Sequence, residues 1–531
     1  MLNLIPLPYK SEEKYGEFVI NNSTTVYADA ELARAKDLFI SLIEKVCGYK
    51  IHNVLSKNAV VRFLYDRVQP KEGYRIECST DSLTIYASGY AGAFYAVMSL
   101  RQLFCMDVPE APEILTMHAI SVTDRPRLGW RGIMLDESRH FFGVETVKKL
   151  LDRMSMYKLN VFHWHLTDNE GWRIEIKKYP LLTEVGGKRR GTQTLAWGKP
   201  NVVSWIEYQG YYTQEQIKDI VAYAKERNIM IVPEIDMPAH FAAAVAAYPE
   251  LSCGNRAIEP SVRHSDHTDI IACAGKESTY RFIYDVIDEI CELFPAPYFH
   301  IGGDEAAKKE WKKCPVCQKS IKDNKLKDEE GLQGYFHNKI ALYLKRKGRT
   351  MIGWNEILMA DNLERSVIAQ YWVPARDRNV EKQAEDGRKL IISKHQAFYF
   401  DMPYAMVKLS DTYRFDIADL YLKEESVLGL EGALWTEWVP TPERLDFQLF
   451  PRMEALSEVA WTPEEKRDYQ DFCKRLSKRM VALDRMGINY APFPVAEGRR
   501  FLSGYAKKVF TRKNAHAEYE KTMRKKRRGK Q

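Results

Sequence analysis

The sequence predicts an α/β protein: a (β/α)8 TIM barrel, preceded by a small α+β domain and followed by a helical C-terminal extension. Three observations carry that expectation. From Leu128 onward, short apolar runs alternate with amphipathic stretches, the signature of repeated β/α units. Eight such units fit into about 340 residues, the size of a barrel with long loops. The polar residues that follow the runs are carboxylates, histidines and tryptophans, and they sit where barrel enzymes carry their active sites.

Taken in order, the first ~120 residues read as an α+β unit. Val26–Tyr27, Val60–Leu64, Tyr74–Cys78 and Leu83–Ala87 are short strands, and Ala91–Phe104 is a helix with apolar positions three and four apart. Asp124-Arg125-Pro126-Arg127 marks a boundary by its proline and charges. The expected barrel strands are Gly129–Leu135, Asn160–His165, Met230–Ile235, Tyr298–Gly302, Met351–Trp354, Val367–Trp372, Leu390–Ser393 and Val427–Leu434. Val147, Leu150, Leu151 and Met154 form one helical stripe between the first two. Thr213 and Gln216 can form a capping box ahead of Ile217, Ile220, Val221 and Ala224. Pro442–Trp461 is the eighth helix. The expected domains are therefore 1–124, 125–465 and 466–531, the last helical and then disordered with a basic tail.

Bulk composition narrows the class. A chain of 531 residues is too long for one ordinary core, and 45% hydrophobic with 28% charged residues is the balance of a globular protein. The net charge of +7 does not point to nucleic acid, because residues 521–530 (KTMRKKRRGK) hold seven Lys or Arg and no acid. The remainder sums to about zero, so the tail reads as a solvated charge run and no nucleic-acid or membrane partner is expected. No apolar segment approaches the ~20 residues needed to span a bilayer. The N-terminus MLNLIPLPYKSEEKYG shows no charged region ahead of a long apolar run, so the chain is expected in the cytoplasm, a mature exported form being the alternative. Cysteines number nine, and Cys105, Cys273 and Cys291 lie in apolar stretches that read as buried positions. Cys314 and Cys317, in KKCPVCQK, lack a second pair at suitable spacing, which favours a local disulfide or free thiols over zinc. No GxGxxG or P-loop pattern is present, and no cofactor or metal is expected.

Read strand by strand, the polar ends give Asp136, Arg139 and His140; then His163, His165 and Asp168; then Glu234, Asp236 and His240. The fourth gives His300 and Asp304-Glu305, the fifth Trp354, Asn355 and Glu356, and the sixth Trp372. Tyr399 and Asp401 follow the seventh, Trp435 and Glu437 the eighth. Unpaired acids at buried strand ends are costly, so a purely structural core would not collect them. Carboxylates with tryptophans suit a sugar pocket, where an acid protonates the leaving oxygen beside an oxocarbenium-like transition state. Mutual repulsion between adjacent Asp304 and Glu305 is expected to raise one pKa and keep a proton available near neutrality. They are too close in sequence to flank a sugar as acid and nucleophile.

At these residues the chain resembles glycoside hydrolase family 20, the β-N-acetylhexosaminidases. The matching stretches are RGIMLDESRHFF (131–142), KLNVFHWHLTDNEGWRIEIKKYPLLTEVG (158–186), VPEIDMPAH (232–240), HIGGDEA (300–306), GWNEI (353–357) and GALWTEW (432–438). The resemblance covers roughly residues 1–465 and implies an exo-acting, retaining hydrolase in which the 2-acetamido oxygen of the substrate is the nucleophile. It implies Glu305 as general acid and base, Asp304 as acceptor of the acetamido N–H, and Tyr399 as hydrogen-bond donor to the acetamido oxygen. Trp354, Trp372 and Trp435 would wall the pocket, with Arg139, Asp401 and Glu437 on hydroxyls of the terminal sugar. Asp168, Glu234, Asp236 and His240 would support them, and His163 and His165 are read as structural. The implied substrate is an oligosaccharide or glycoconjugate ending in N-acetylhexosamine. Asn355 departs from the Asp often found there, and Tyr404 competes with Tyr399. Against this stand a metal-dependent hydrolase using Glu234, Asp236, His240 and Asp304, a silent sugar binder, and a disaccharide-releasing enzyme.

Overall fold

The computed structural model describes residues 2–107, 112–194, 202–372 and 377–498. The basic run 521–530 and the end of the C-terminal extension lie outside the described residues. The chain forms two compact units.

The first unit comprises Met1–Arg131, Asp152–Asn160 and Phe450–Ala491. Its seven-stranded sheet contains β1 (Lys10–Ile20), β2 (Thr25–Ala28), β3 (His52–Asn53), β4 (Val61–Tyr65), β5 (Tyr74–Cys78), β6 (Leu83–Ala87) and β7 (Leu115–Asp124), in the order β1-β7-β5-β6-β4-β2-β3. The four strands expected here are present. β1, β3, β7 and the helix Ala33–Cys47 are additions to the sequence reading. Most of β1 faces solvent and it is irregular between Glu13 and Glu17, so it carries little alternation to detect. Phe18, Val26, Phe39, Phe63, Ile76 and Ile85 are among the core residues.

Polar anchors fix this unit as well. The buried Asp124 carboxylate accepts from Tyr74 OH (2.6 Å), Lys158 Nζ (2.8 Å) and Trp461 Nε1 (2.8 Å). Glu458 receives both terminal nitrogens of Arg475 at 2.7 and 2.6 Å, together with the Leu7 N–H. Pro442–Trp461, expected as one helix, is two: Pro442–Leu449 and Arg452–Trp461. Pro451 lies between them, and a proline lacks the N–H and crowds the preceding turn that a continuous helix needs. The extension contains the helices Tyr469–Arg485 and Phe493–Ala496.

The second unit, Gly132–Leu151, Val161–Leu449 and Pro492–Gln531, contains the closed barrel. Its strands are Trp130–Asp136, Val161–His165, Met230–Glu234, Tyr298–His300, Thr350–Trp354, Ile368–Tyr371, Leu390–Ile392 and Val427–Leu434. All eight fall on the expected runs. Parallel strands covered on both faces are buried throughout, which is why they read as continuous apolar segments. The helix Gln214–Glu226 begins with the expected capping box between Thr213 and Gln216. Among the described residues no helix is long and apolar enough to cross a membrane.

Replacing Glu458 by Ala would leave Arg475 buried without its main partner, a loss of about 3–5 kcal/mol. A thermal-unfolding comparison of full-length proteins should show a clearly lower midpoint for Glu458→Ala, with turnover unchanged when assayed at low temperature.

Candidate active site

The ends of the first, second and eighth barrel strands converge on one cation. Arg139 places Nη1 3.0 Å from Asp136, Nη2 2.7 Å from Asp168, Nε 3.0 Å from Glu170 and Nη1 3.5 Å from Glu437. Burial opposes the guanidinium charge, but the four carboxylates outweigh it and hold its proton affinity well above the ordinary value. Asp136 also accepts the backbone N–H groups of Ser138, Arg139 and Thr436, so one carboxylate sets both loops. The Arg139 guanidinium stands 5.2 Å over the Trp435 ring.

A second acid organises the floor. Glu234 Oε2 lies 2.5 Å from His165 Nδ1 and 3.0 Å from His163 Nε2, while Oε1 meets His300 Nδ1 and Trp354 Nε1, each at 2.9 Å. His163 Nδ1 reaches Glu431 at 2.7 Å. His163 and His165 project to the same side, as their spacing requires, and both serve this network. Burial opposes ionisation of Glu234, yet the three imidazoles hold its carboxyl well below the usual range. Burial likewise disfavours His163 as a cation, but Glu431 and Glu234 raise it to about 9. Both Glu234 oxygens are thus engaged within this floor.

The turn after the fourth strand aims the acidic pair. Gly302 and Gly303 have φ of +65° and +97°, and Glu305 has +47°. A Cβ on Gly302 would lie 1.7 Å from Asp236 Oδ1, so the turn admits no side chain there. Asp236 instead accepts the Gly303 N–H at 3.2 Å. His240, itself at φ +52°, donates through Nδ1 to the Asp168 carboxylate (2.9 Å) and presents Nε2 3.6 Å from Asp304 and 3.5 Å from Glu305. Burial works against a charged His240, but Asp168 and Asp304 hold it well above the usual imidazole range.

The two acids shift in opposite directions, but through burial and His240 more than through mutual repulsion. Burial pushes Asp304 well above the usual carboxylate range, and Asp236, Glu356 and Glu305 add to this against His240. Glu305 goes the other way: the hydrogen bond from His240 lowers it, and its side chain remains 59% exposed. Asp236 is pushed up by burial to about 8. Without a bound ligand, burial thus shifts Asp236 and Asp304 toward the protonated form and His240 shifts Glu305 away from it.

Aromatic rings close the pocket. Trp354, Tyr399, Trp372 and Trp435 share one cluster with Met134, and the rings of Trp372 and Tyr399 stack at 5.6 Å and 12°. Tyr399 is buried beside Asp304 and Asp401, and burial pushes its hydroxyl well above the usual range. Tyr404 does not compete for this position, since its hydroxyl is bonded to the Phe447 carbonyl at 3.1 Å. Asn355 is buried and accepts the Trp372 backbone N–H through Oδ1 at 3.0 Å, a task a carboxylate oxygen would also perform. Asp401 is buried, with its carbonyl held by Gln448. A cavity of about 710 Å³ opens beside Glu305, Glu356 and Trp372 and extends to Lys308 and Gln333.

The structure thus brings every proposed site residue into one region of the barrel's C-terminal end. Sequence reasoning left out Glu170, His264 and Glu431, and placed Glu356 at a strand end without giving it a role. Glu170 pairs with Arg139 and with His264 Nδ1 (2.9 Å), and Glu356 accepts from Trp372 Nε1 (2.8 Å). Glu170 and Glu356 were available as carboxylates inside NEGW and GWNEI; nothing in the sequence marks His264. The assembled site offers a proton-sharing acid pair, a fixed cation beside carboxylates that can hold hydroxyls, and an aromatic box.

Comparison with known proteins identifies relatives of the chain as a whole. The model "Glycosyl hydrolase family 20, catalytic domain" matches residues 128–464, and "Glycosyl hydrolase family 20, domain 2" matches residues 1–125. A β-hexosaminidase of Porphyromonas gingivalis is 39% identical over 523 residues, 94% of this chain; the match spans 65% of that protein, just under two thirds of its length. A β-N-acetylhexosaminidase of Cellulomonas fimi is 30% identical, covering 92% of this chain and 96% of its own. The crystal structure of a GH20 exo β-N-acetylglucosaminidase from Vibrio harveyi, in complex with N-acetylglucosamine, is 32% identical with a TM-score of 0.83, covering 92% of this chain and 78% of that one. A β-N-acetylhexosaminidase from Bacteroides fragilis gives 33% and 0.79, over 92% and 97%.

Two outcomes follow from the geometry. Gly302→Ala forces Asp236 or the turn to move, so kcat should fall by ~10²-fold, the usual cost of misplacing reacting groups by about 1 Å, while circular dichroism stays native. His163 is protonated up to about pH 9 when folded but only to about 6.5 when unfolded. Its stabilisation is complete below about pH 6.5 and disappears as pH rises through 9. The unfolding midpoint should decline across that window, and decline less in His163→Gln.

Proposed function

The chain belongs to glycosyl hydrolase family 20, and on that premise we propose that it is an exo-acting β-N-acetylhexosaminidase removing terminal N-acetylglucosamine or N-acetylgalactosamine with retention. The observation that carries this reading is the adjacent pair Asp304 and Glu305, both facing His240 beside an aromatic box. Two neighbouring acids cannot sit on opposite faces of a sugar, so this pair does not serve as acid and enzymic nucleophile. A nucleophile carried by the substrate removes that difficulty.

In the proposed reaction Glu305 gives its proton to the glycosidic oxygen as the bond to C1 breaks. The acetamido carbonyl oxygen forms a bond to C1, and the positive charge spreads over an oxazolinium ring. Asp304, as carboxylate, accepts the acetamido N–H and stabilises that charge, and the Tyr399 hydroxyl donates to the acetamido oxygen. Glu305 then takes a proton from water, which attacks C1 and opens the ring with net retention. Trp354, Trp372 and Trp435 enclose the methyl and the ring. Arg139 and Glu437, with Asp401, hold hydroxyls at the closed end, which restricts cleavage to terminal residues. Asp168, Glu234, Asp236 and His240 position these groups, and the 710 Å³ cavity beside Glu305 lies on the leaving-group side.

Binding itself sets the protonation. A sugar over the half-exposed Glu305 excludes water and raises its pKa, while the acetamido N–H favours the Asp304 carboxylate. The shift that favours a proton on the Asp304 side is thereby reversed in favour of Glu305 when substrate arrives. The N-acetylglucosamine bound in the Vibrio harveyi structure supports the substrate class.

The test compares an aryl N-acetyl-β-glucosaminide with the plain aryl β-glucoside, with and without a thiazoline analogue of the oxazolinium ion. Only the acetamido substrate should turn over, and the thiazoline should block it; equal turnover of both would overturn the mechanism. Glu305→Gln should cost ~10²–10⁴-fold on a poor leaving group and less on an activated one, and Asp304→Ala a similar factor on both.

A further inference from the structure

Away from the pocket, the second unit gathers four of the nine cysteines at one point. Cys253 follows the short helix Pro249–Leu251, and Cys273 adjoins the bridge between Ser252 and Ala272. Cys314 caps the helix Pro315–Asp323, and Cys317 lies in its first turn. The sulfurs stand 3.8 Å apart for Cys253 and Cys317, 3.6 Å for Cys273 and Cys317, and 4.0 Å for Cys273 and Cys314. All four lie within 4.8 Å of one another. No disulfide joins any of the nine cysteines.

These distances discriminate between the chemistries available to four thiols. A disulfide needs its sulfurs at about 2.05 Å. Four thiolates around zinc, each at about 2.3 Å, form a tetrahedron whose edge is about 3.8 Å. The observed separations bracket that edge. Cys273 and Cys317 are fully buried, Cys314 nearly so, and Cys253 is partly buried. Closed four-cysteine sites of this kind are structural. A Cβ on Gly275 would meet the Cys317 nitrogen at 2.6 Å, so the two segments approach as closely as backbone allows.

We propose that Cys253, Cys273, Cys314 and Cys317 hold one structural zinc ion as four thiolates. On binding, Zn–S bonds replace S–H bonds and the protons, up to four, leave to solvent. The ion joins two loops. Cys253 and Cys273 belong to the segment after the third barrel strand, which carries His240; Cys314 and Cys317 belong to the segment after the fourth, which carries Asp304 and Glu305. The zinc thus staples the imidazole-bearing loop to the acid-bearing loop from outside the pocket. The reading that set zinc aside sought a second Cys-x-x-Cys motif, and the second pair is instead two cysteines far apart in the chain.

The experiment uses the full chain purified under reducing conditions without chelator, with metal content read by mass spectrometry. About one zinc per chain is expected, released in step with thiol modification by a mercurial. Cobalt(II) in its place should give the intense visible bands of a tetrahedral thiolate site. Cys273→Ser and Cys317→Ser should each lower zinc to background and lower the unfolding midpoint, whereas Cys105→Ser should keep both. Wild-type protein with no zinc and free thiols, an intact mass showing disulfides among these four, or zinc unaffected by either substitution would overturn the proposal. Because the readout is metal content, failure would leave the hydrolase reading untouched.

Discussion

One buried guanidinium decides how charge is arranged at the end of this barrel. Arg139 meets Asp136, Asp168, Glu170 and Glu437, and its charge offsets the cost of gathering these carboxyl groups in a dehydrated space. Its influence passes along a chain. Held ionised by Arg139, Asp168 bonds His240 Nδ1 and keeps the imidazole charged. The charged imidazole then faces both members of the acidic pair and lowers Glu305. Acid strength at the fourth strand is therefore set through contacts that begin at the first.

Glu234 plays the complementary part for geometry. It links imidazoles from the second and fourth strands to the indole of Trp354 at the end of the fifth, and through His163 the network reaches Glu431 on the eighth. The aromatic box is oriented from below by polar contacts as well as by packing. Groups placed at strand ends and bound to one another in this way need little reorganisation, which suits electrostatic stabilisation of developing charge.

Much of this was legible in the sequence, for physical reasons. Barrel strands are buried on both faces, so each appears as an apolar run, and its C-terminal end is marked by the first polar residues after it. The Thr213–Gln216 box was visible because capping depends on residues three apart. The features that escaped depend on long-range contacts or exposed pairing. β1 is an edge strand with a mostly solvent-facing surface; Cys105, read as buried from its apolar neighbours, is exposed at φ +51°. Which of Asp304 and Glu305 keeps the proton depends on Asp236 and His240, distant in sequence. The four-cysteine cluster joins residues 41 to 64 positions apart, beyond any local motif.

The glycine at the base of the acidic turn has a further consequence. Gly302 sits at φ +65° with the Asp236 carboxylate where a Cβ would be. Every single-base change to a glycine codon that alters the residue without ending the chain installs a side chain. Position 302 therefore has no tolerated neighbour one mutational step away, and the aim of Asp304 and Glu305 cannot be tuned there by gradual substitution. Adaptation to a different glycan must work through the rim, where Lys308 and the exposed walls of the cavity can vary while the turn stays fixed.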